Sequence, residues 1–281
     1  MYCTNILKTE IMKEKLCIAL CQNEIVWEDA TATISRLDTP VREFLARCET
    51  DVLVLPETYS VGFTMNPEVS EFPDGPSAQW LREISRACGV AVIASVPTLD
   101  KDGKGTEARY NRCWFICPDG TEYHYDKHHL FTPSGEGSAY TPGKERVCVP
   151  YKGWNIELNV CYDLRFPVWS RNAGNRYDLL VNIANWPVSR VKAASTLIKA
   201  RAIENSAYAL FCNRIGSDPL CEYNGCSTVV NWFGERICKG NIVDGLQFYR
   251  ASLDAAELTH YRQRFAAWKD ADKFTVSNES I

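Results

Sequence analysis

The 281-residue sequence predicts an α/β fold in which helices cover the outer faces of two sheets. Three observations lead there. Short apolar runs of strand length alternate along the chain with longer segments whose apolar residues recur at helical spacing. A turn at Pro118-Asp-Gly120 introduces a hairpin in mid-chain, and a cluster of short β-rich runs closes the sequence.

In order, Leu16 to Gln22 is the first strand, and Trp27 to Ala46 is a helix because Ile34, Leu37, Val41 and Leu45 fall on one face. Asp51-Val-Leu-Val-Leu-Pro-Glu57 is a buried strand ended by Pro56, which cannot donate to a ladder. Ala78 to Cys88 is the second helix, and Val90 to Pro97 the strand after it. Beyond the Pro118 turn, Tyr123 to Phe131 is the return strand of the hairpin and runs out into a loop. Asn155 to Val160 alternates apolar and polar residues, and at Cys161 the pattern breaks into a helix start, so Cys161 occupies a strand-to-helix elbow. Asp178 to Ile183 is a further strand and Val191 to Asn205 a helix. Leu210 to Arg214, Ser227 to Trp232 and Glu235 to Lys239 make the late β region, the last two as a closing hairpin.

No linker, charge block, low-complexity tract or repeat divides the chain, which predicts one domain over residues 12–281. Residues 1–11 precede the first periodic strand and are followed by Met12, so the expectation is a disordered extension or a start at Met12. A net charge of -4, with no Lys/Arg cluster interleaved with aromatics, argues against nucleic acid as a partner. No apolar stretch approaches the roughly eighteen residues of a membrane span, and Leu16 to Cys21 is too brief for a signal sequence. The thirteen cysteines are odd in number and contain no C-x2-C; Cys17/Cys21 and Cys113/Cys117 are spaced C-x3-C within strands. The four histidines form no metal-binding pair, and neither G-x-G, at Gly103/Gly105 and Gly135/Gly137, has the strand-and-helix setting of a nucleotide loop. The expectation is therefore reduced thiols in a cytoplasm, with no metal and no cofactor.

Glu57, Lys127 and Cys161 each stand where a strand hands over to a loop. A thiol attacks as thiolate, its free pKa is about 8.5, and a base within hydrogen-bond reach removes the proton during attack. Glu57 suits that role. Attack on a carbonyl or nitrile carbon builds negative charge on the heteroatom, and the Lys127 ammonium and the Tyr162 backbone N–H can receive it, since the first amides of a helix lack partners within it. The same elbow is expected to lower the thiol pKa. Read singly, Glu57 is a solvated cap, Lys127 a surface charge and Cys161 a small buried hydrophobe. Their occurrence together, each at a strand end, favours chemistry. A papain-like pairing of Cys161 with His128 or His129 is the competing arrangement.

The stretches LVLPETYSVGF, YDKHHLF and NVCYDLRFP, with Ala184-Asn-Trp-Pro187, Lys199 to Asn205, Cys212 to Gly216 and Tyr223 to Val230, resemble the nitrilase, or carbon-nitrogen hydrolase, superfamily. The likeness runs from about residue 15 over nearly the whole chain and looks most like the ω-amidase branch, including its bacterial type. It implies a four-layer αββα sandwich and a Glu-Lys-Cys catalytic set of Glu57, Lys127 and Cys161. It adds a second glutamate in the loop after the lysine, matched by Glu136 in preference to Glu145. It implies a homodimer or larger oligomer built through outer helices, for which Trp169, Trp186 and the tail from Tyr261 to Trp268 are candidate aromatics beside their alternative as core. The expected substrate is a short ω-amide of a dicarboxylic acid, such as α-ketoglutaramate or α-ketosuccinamate. Arg165 and Arg190 would reach its distal carboxylate, and Phe131, Tyr59 and Trp186 would wall the pocket. An N-carbamoyl amino acid or β-ureido acid amidohydrolase, and a catalytically silent binding protein on the same fold, are the alternatives.

Overall fold

Along the first strand Leu16, Ile18 and Leu20 face one way and Ala19 and Cys21 the other, and all five are buried. A strand covered on both faces lies in a middle layer, and the same holds for most strands of the computed structural model, which describes residues 12–101 and 104–272. The expected extension over residues 1–11, Gly103 of the first G-x-G and the tail beyond residue 272 lie outside the described residues.

The strands are β1 (Lys15–Gln22), β2 (Val52–Val54), β3 (Ala91–Lys101), β4 (Glu107–Ile116), β5 (Glu122–Asp126), β6 (Cys148–Tyr151), β7 (Trp154–Val160), β8 (Leu179–Ala184), β9 (Tyr208–Asn213), β10 (Ile215–Ser217), β11 (Glu222–Asn224), β12 (Thr228–Val230), β13 (Lys239–Val243) and β14 (Leu246–Asp254). The helices are α1 (Ala30–Arg47), α2 (Pro76–Cys88), the single turn α3 (Glu136–Ala139), α4 (Val191–Asn205) and α5 (Ala255–Arg264). One sheet has the order β13-β14-β1-β2-β3-β4-β5 and the other β12-β9-β8-β7-β6, while β10 and β11 form a separate small hairpin.

Three apolar clusters define the layers. Between the sheets, Leu16, Ile18, Val54 and Ile93 of the first meet Trp154, Leu158, Val181 and Leu210 of the second. On the outer face of the first sheet, Leu37, Val41 and Phe44 of α1 and Trp80, Leu81 and Ile84 of α2 cover Leu53 and Val92. On the outer face of the second, Ala194, Ile198 and Ala202 of α4 cover Leu180, Ala209 and Phe211. The result is the αββα sandwich.

Helix boundaries follow their caps. Helix α1 starts at Ala30 rather than Trp27 because Asp29 accepts a bond from Ala32 N at 2.9 Å, and Glu28 stands in a left-handed turn (φ 55°). Helix α2 begins at Pro76, two residues before the expected Ala78, because proline's fixed φ and missing N–H suit a first helical turn.

The closing hairpin is corrected. After β12 the chain turns at Asn231 and pairs back through a single bridge, Val230 to Arg236, before Lys239 crosses to the other sheet as β13. There it pairs with β14, which lies antiparallel along the whole of β1. Strand β14 mixes Gln247, Tyr249, Arg250 and Ser252 with its apolar residues and buries chiefly Phe248, Ala251 and Leu253, so it lacks the apolar run that marks its neighbours. Trp169 and Trp186 are both core rather than interface, at 6% and 3% exposed. No helix among the described residues is long and apolar enough to cross a membrane.

Phe248 stacks on Phe44 of α1 with centroids 3.9 Å apart and planes 5° from parallel. Phe248→Ala should therefore cost about 3–5 kcal/mol of stability, read as a lower urea midpoint, while turnover per folded molecule is retained because the pair lies on the helix side of the sheet.

Candidate active site

The ends of β2, β5, β7 and β8 deliver their following residues to one place between the sheets, as open α/β sheets do at the carboxyl ends of their strands. Glu57 follows β2, Lys127 directly follows β5, Cys161 directly follows β7 and Asn185 directly follows β8. Asn111 comes from within β4, and Glu136 opens α3.

Lys127 is the hub. Its ammonium donates to Glu57 Oε1 at 2.9 Å and to both carboxylate oxygens of Glu136 at 2.9 Å. All three side chains are fully buried. Burial works against the lysine's charge, but Glu136 and Glu57 outweigh it and hold its pKa well above the ordinary value. Burial raises the Glu136 pKa, and Lys127 opposes the shift. Glu136 also accepts from Phe131 N at 2.5 Å, which fixes the loop between the lysine and α3.

Glu57 is held at both oxygens. Asn111 Nδ2 donates to Oε1 at 2.8 Å and Asn185 N to Oε2 at 2.9 Å, while Asn185 Nδ2 bonds the Glu57 carbonyl at 2.7 Å. The Cys161 thiol shares the cleft with Lys127, and both Lys127 and Glu57 are near enough to act on its proton. Burial first, and then Glu57, push the thiol pKa well above its usual value, with Lys127 pulling it down. The expected lowering at the elbow is thus overturned: the turn from Cys161 to Arg165 is only five residues of 3-10 helix, too short to outweigh two buried carboxylates. The resting group is a protonated thiol with a carboxylate to receive its proton.

The elbow itself depends on Asp163. Cys161 has φ 47°, a left-handed conformation uncommon for a residue with a Cβ. Asp163, fully buried, accepts from Val160 N (2.9 Å), His129 N (2.9 Å) and Tyr125 OH (2.7 Å), and faces His129 Nδ1 at 2.8 Å. One carboxylate thereby ties the lysine loop to the nucleophile's turn. His129 stacks on Phe166 and His128 on Trp169, with His128 Nδ1 at 2.6 Å from Gly143 O. Both rings are thus engaged away from Cys161, against the papain-like pairing.

A small cleft of about 90 Å³ leads to Cys161 and Lys127. Phe131, Tyr162, Arg165, Trp186 and Arg190 line it. Arg165 lies over the Trp186 ring (5.1 Å) and Arg190 over the Phe131 ring (5.2 Å), and neither has an acidic partner among the described residues. The expected wall residue Tyr59 lies elsewhere. The left-handed turn at Thr58 (φ 41°) sends it to the helix side, where its hydroxyl donates to Ser77 O at 2.8 Å and its ring stacks on Trp80. Glu145 is exposed, and Glu136 is the glutamate that meets the lysine. Sequence reasoning missed Phe63, whose ring is 5.0 Å from Lys127 Nζ, and Asp218 and Tyr223 of the β10–β11 hairpin wall. It also missed Asn111, whose identity carries no pattern without the fold, and Asn185; Phe63, Asn185 and Tyr223 had a signal in the quoted stretches.

Replacing Lys127 with Met leaves two buried carboxylates without a cation, which should cost about 3–5 kcal/mol. Both carboxyls would then have folded-state pKa values above the unfolded value of about 4.3. Stability is retained below that value and lost as pH rises through the raised ones. Urea midpoints of Lys127→Met and wild type should converge near pH 4 and separate towards pH 7.

The carbon-nitrogen hydrolase family model matches residues 17–263. The chain is 40% identical to omega-amidase YafV of Escherichia coli (strain K12) over 260 residues, covering 92% of this chain and 98% of that protein. It is 31% identical to 2-oxoglutaramate amidase of Bacillus subtilis (strain 168), covering 79% and 85%. The crystal structure of XC1258 from Xanthomonas campestris, described as a CN-hydrolase superfamily protein with an arsenic adduct in the active site, superposes with a TM-score of 0.85 at 34% identity, covering 94% of this chain and all of that one. With its αββα layers, its buried lysine between two glutamates and a cysteine at the elbow, the chain belongs to the carbon-nitrogen hydrolase family.

Proposed function

We propose that this protein is a thiol-dependent amidase that hydrolyses a short linear carboxamide to carboxylate and ammonia, with an ω-amide of a keto-dicarboxylic acid, α-ketoglutaramate or α-ketosuccinamate, as its substrate. The observation that carries the reading is an ammonium fixed by two buried carboxylates, Glu57 and Glu136, with the Cys161 thiol at the elbow beside it in the same cleft. The names of the Escherichia coli and Bacillus subtilis relatives support the substrate class.

In the first half-reaction Glu57 takes the thiol proton as sulfur bonds the amide carbon. The charge developing on the carbonyl oxygen is received by Lys127 and the Tyr162 N–H, donors worth roughly a hundredfold or more each in rate. Lys127 makes two contacts to Glu136, and releasing one frees an N–H for the oxyanion. Glu57-H then protonates the nitrogen, ammonia leaves, and a thioester remains. In the second half-reaction Glu57 takes a proton from water as the water oxygen bonds the thioester carbon, and the thiolate leaves and regains that proton. Glu136 acts through the lysine, holding its charge in place.

Arg165 and Arg190 supply the substrate's carboxylate partners. Two guanidiniums in a small aromatic-walled cleft, each on a ring and neither ion-paired among the described residues, are ready donors for an anion. Phe131 and Trp186 form the walls that carry them. The reading includes one domain, a homodimer assembled without nucleic acid or membrane, and a cytoplasmic setting in which thiols stay reduced.

Cys161→Ala should keep the wild-type melting temperature and lose ammonia release from α-ketoglutaramate; wild-type turnover in that variant would refute the mechanism. Arg190→Ala should raise KM for the keto-amide about tenfold or more with kcat little changed, since a charge-assisted hydrogen bond is removed from binding. An unchanged KM would remove Arg190 from the site, and faster ammonia release from N-carbamoyl-β-alanine than from the keto-amide would move the substrate. Light scattering at micromolar concentration should give twice the chain mass.

A further inference from the structure

Asn111 sits at the junction of the buried charges. Its Nδ2 donates to Glu57 Oε1 at 2.8 Å and lies 3.4 Å from Glu136 Oε1, and its backbone carbonyl accepts from Lys127 N at 3.0 Å. It is 1% exposed. Its side-chain oxygen, buried as well, has no partner. A buried acceptor left unpaired is a cost that folded proteins normally avoid, so the amide is oriented by the carboxylates at the expense of its own oxygen.

That orientation has a chemical consequence. Glu57 Oε1 already receives Lys127, so the amide adds a second, neutral donor to the oxygen that faces the lysine, while Asn185 N occupies Oε2. A donor to a carboxylate favours its charged form. A second lysine in that place would do so more strongly, but would weaken Glu57 as a base; a neutral amide holds the carboxylate in place with a smaller effect. Resting on the reading of Glu57 as the general base, we propose that Asn111 is a positioning residue that sets the basicity and orientation of Glu57 without touching substrate. The titratable and charged groups facing Glu57 are Lys127, Glu136 and Cys161, with Tyr140 behind Glu136. All of them remain when Asn111 is replaced.

The test is the pH dependence of kcat/KM for ammonia release in wild type, Asn111→Leu and Asn111→Asp, with Glu57→Gln as control and melting temperatures throughout. Leucine is close in shape and has no donor; aspartate has the same shape and brings a charge of the carboxylate's own sign. Loss of the donor disfavours ionised Glu57, so the acid limb should move up by about one pH unit in the leucine variant, and further in the aspartate variant. A folded variant whose rate falls evenly across the pH range, with the limb unmoved, would overturn the proposal, and so would failure of both variants to fold. The control separates the two readings. Activity retained in Glu57→Gln would refute Glu57 as the base, whereas an inactive Glu57→Gln beside an unmoved limb in the Asn111 variants would refute the role of Asn111 alone.

Discussion

A single ammonium between two carboxylates, all three out of contact with water, is the constraint on which the rest of the molecule depends. Removing such ions from solvent costs several kcal/mol each, and the loss is offset only when partners stand at hydrogen-bond distance with their remaining donors and acceptors filled. Lys127 meets that condition through three contacts of 2.9 Å, and the two glutamates through the backbone N–H groups of Phe131 and Asn185 and the amide of Asn111. The groups arrive from β2, β4, β5, β8 and the α3 turn, so both sheets must be in register before the charge is neutralised.

The second requirement is a reactive atom aimed at that charge from the opposite sheet. Here Asp163 does for the backbone what Lys127 does for the carboxylates. It gathers amides from the lysine loop and from the strand before Cys161, and so fixes the distance between the two. Tyr125 and Trp169 continue the network into the inter-sheet core. A protonated thiol at rest fits this setting, because a thiolate would bring a third negative charge beside one positive one. The proton stays on sulfur until an electrophile arrives.

Glu57, Lys127 and Cys161 were legible in the sequence because each follows a strand with a strong local signature, and a strand end is where a side chain leaves the ladder and enters a cleft. Glu136 required the likeness to a known family, since nothing in its loop distinguishes it from Glu145 until the fold shows which one reaches the lysine. Asn111 was illegible, a polar residue within a strand whose partner Glu57 lies 54 positions away, and Asn185 stood in a stretch that carried the resemblance while its hold on Glu57, 128 positions away, was not readable there. Tyr59 was misplaced by one left-handed residue, Thr58, which breaks the alternation that would have put it in the cleft. The layers were readable from apolar runs, whereas β14 was not, because half of its side chains are polar and its identity as a strand comes from lying against β1.

That last pairing bears on how the protein is made. Strand β1 leaves the ribosome before every other described strand, and its two neighbours are β2, which follows soon after, and β14, which follows all the other described strands. Until residue 254 has emerged, one side of β1 presents unpaired backbone groups, a template for other chains. The five strands of the second sheet, including the one that carries Cys161, are complete by residue 230. The sheet that holds Glu57 and Lys127 therefore closes after the other is complete, and during elongation the growing chain carries an open strand edge of the kind that chaperones cover.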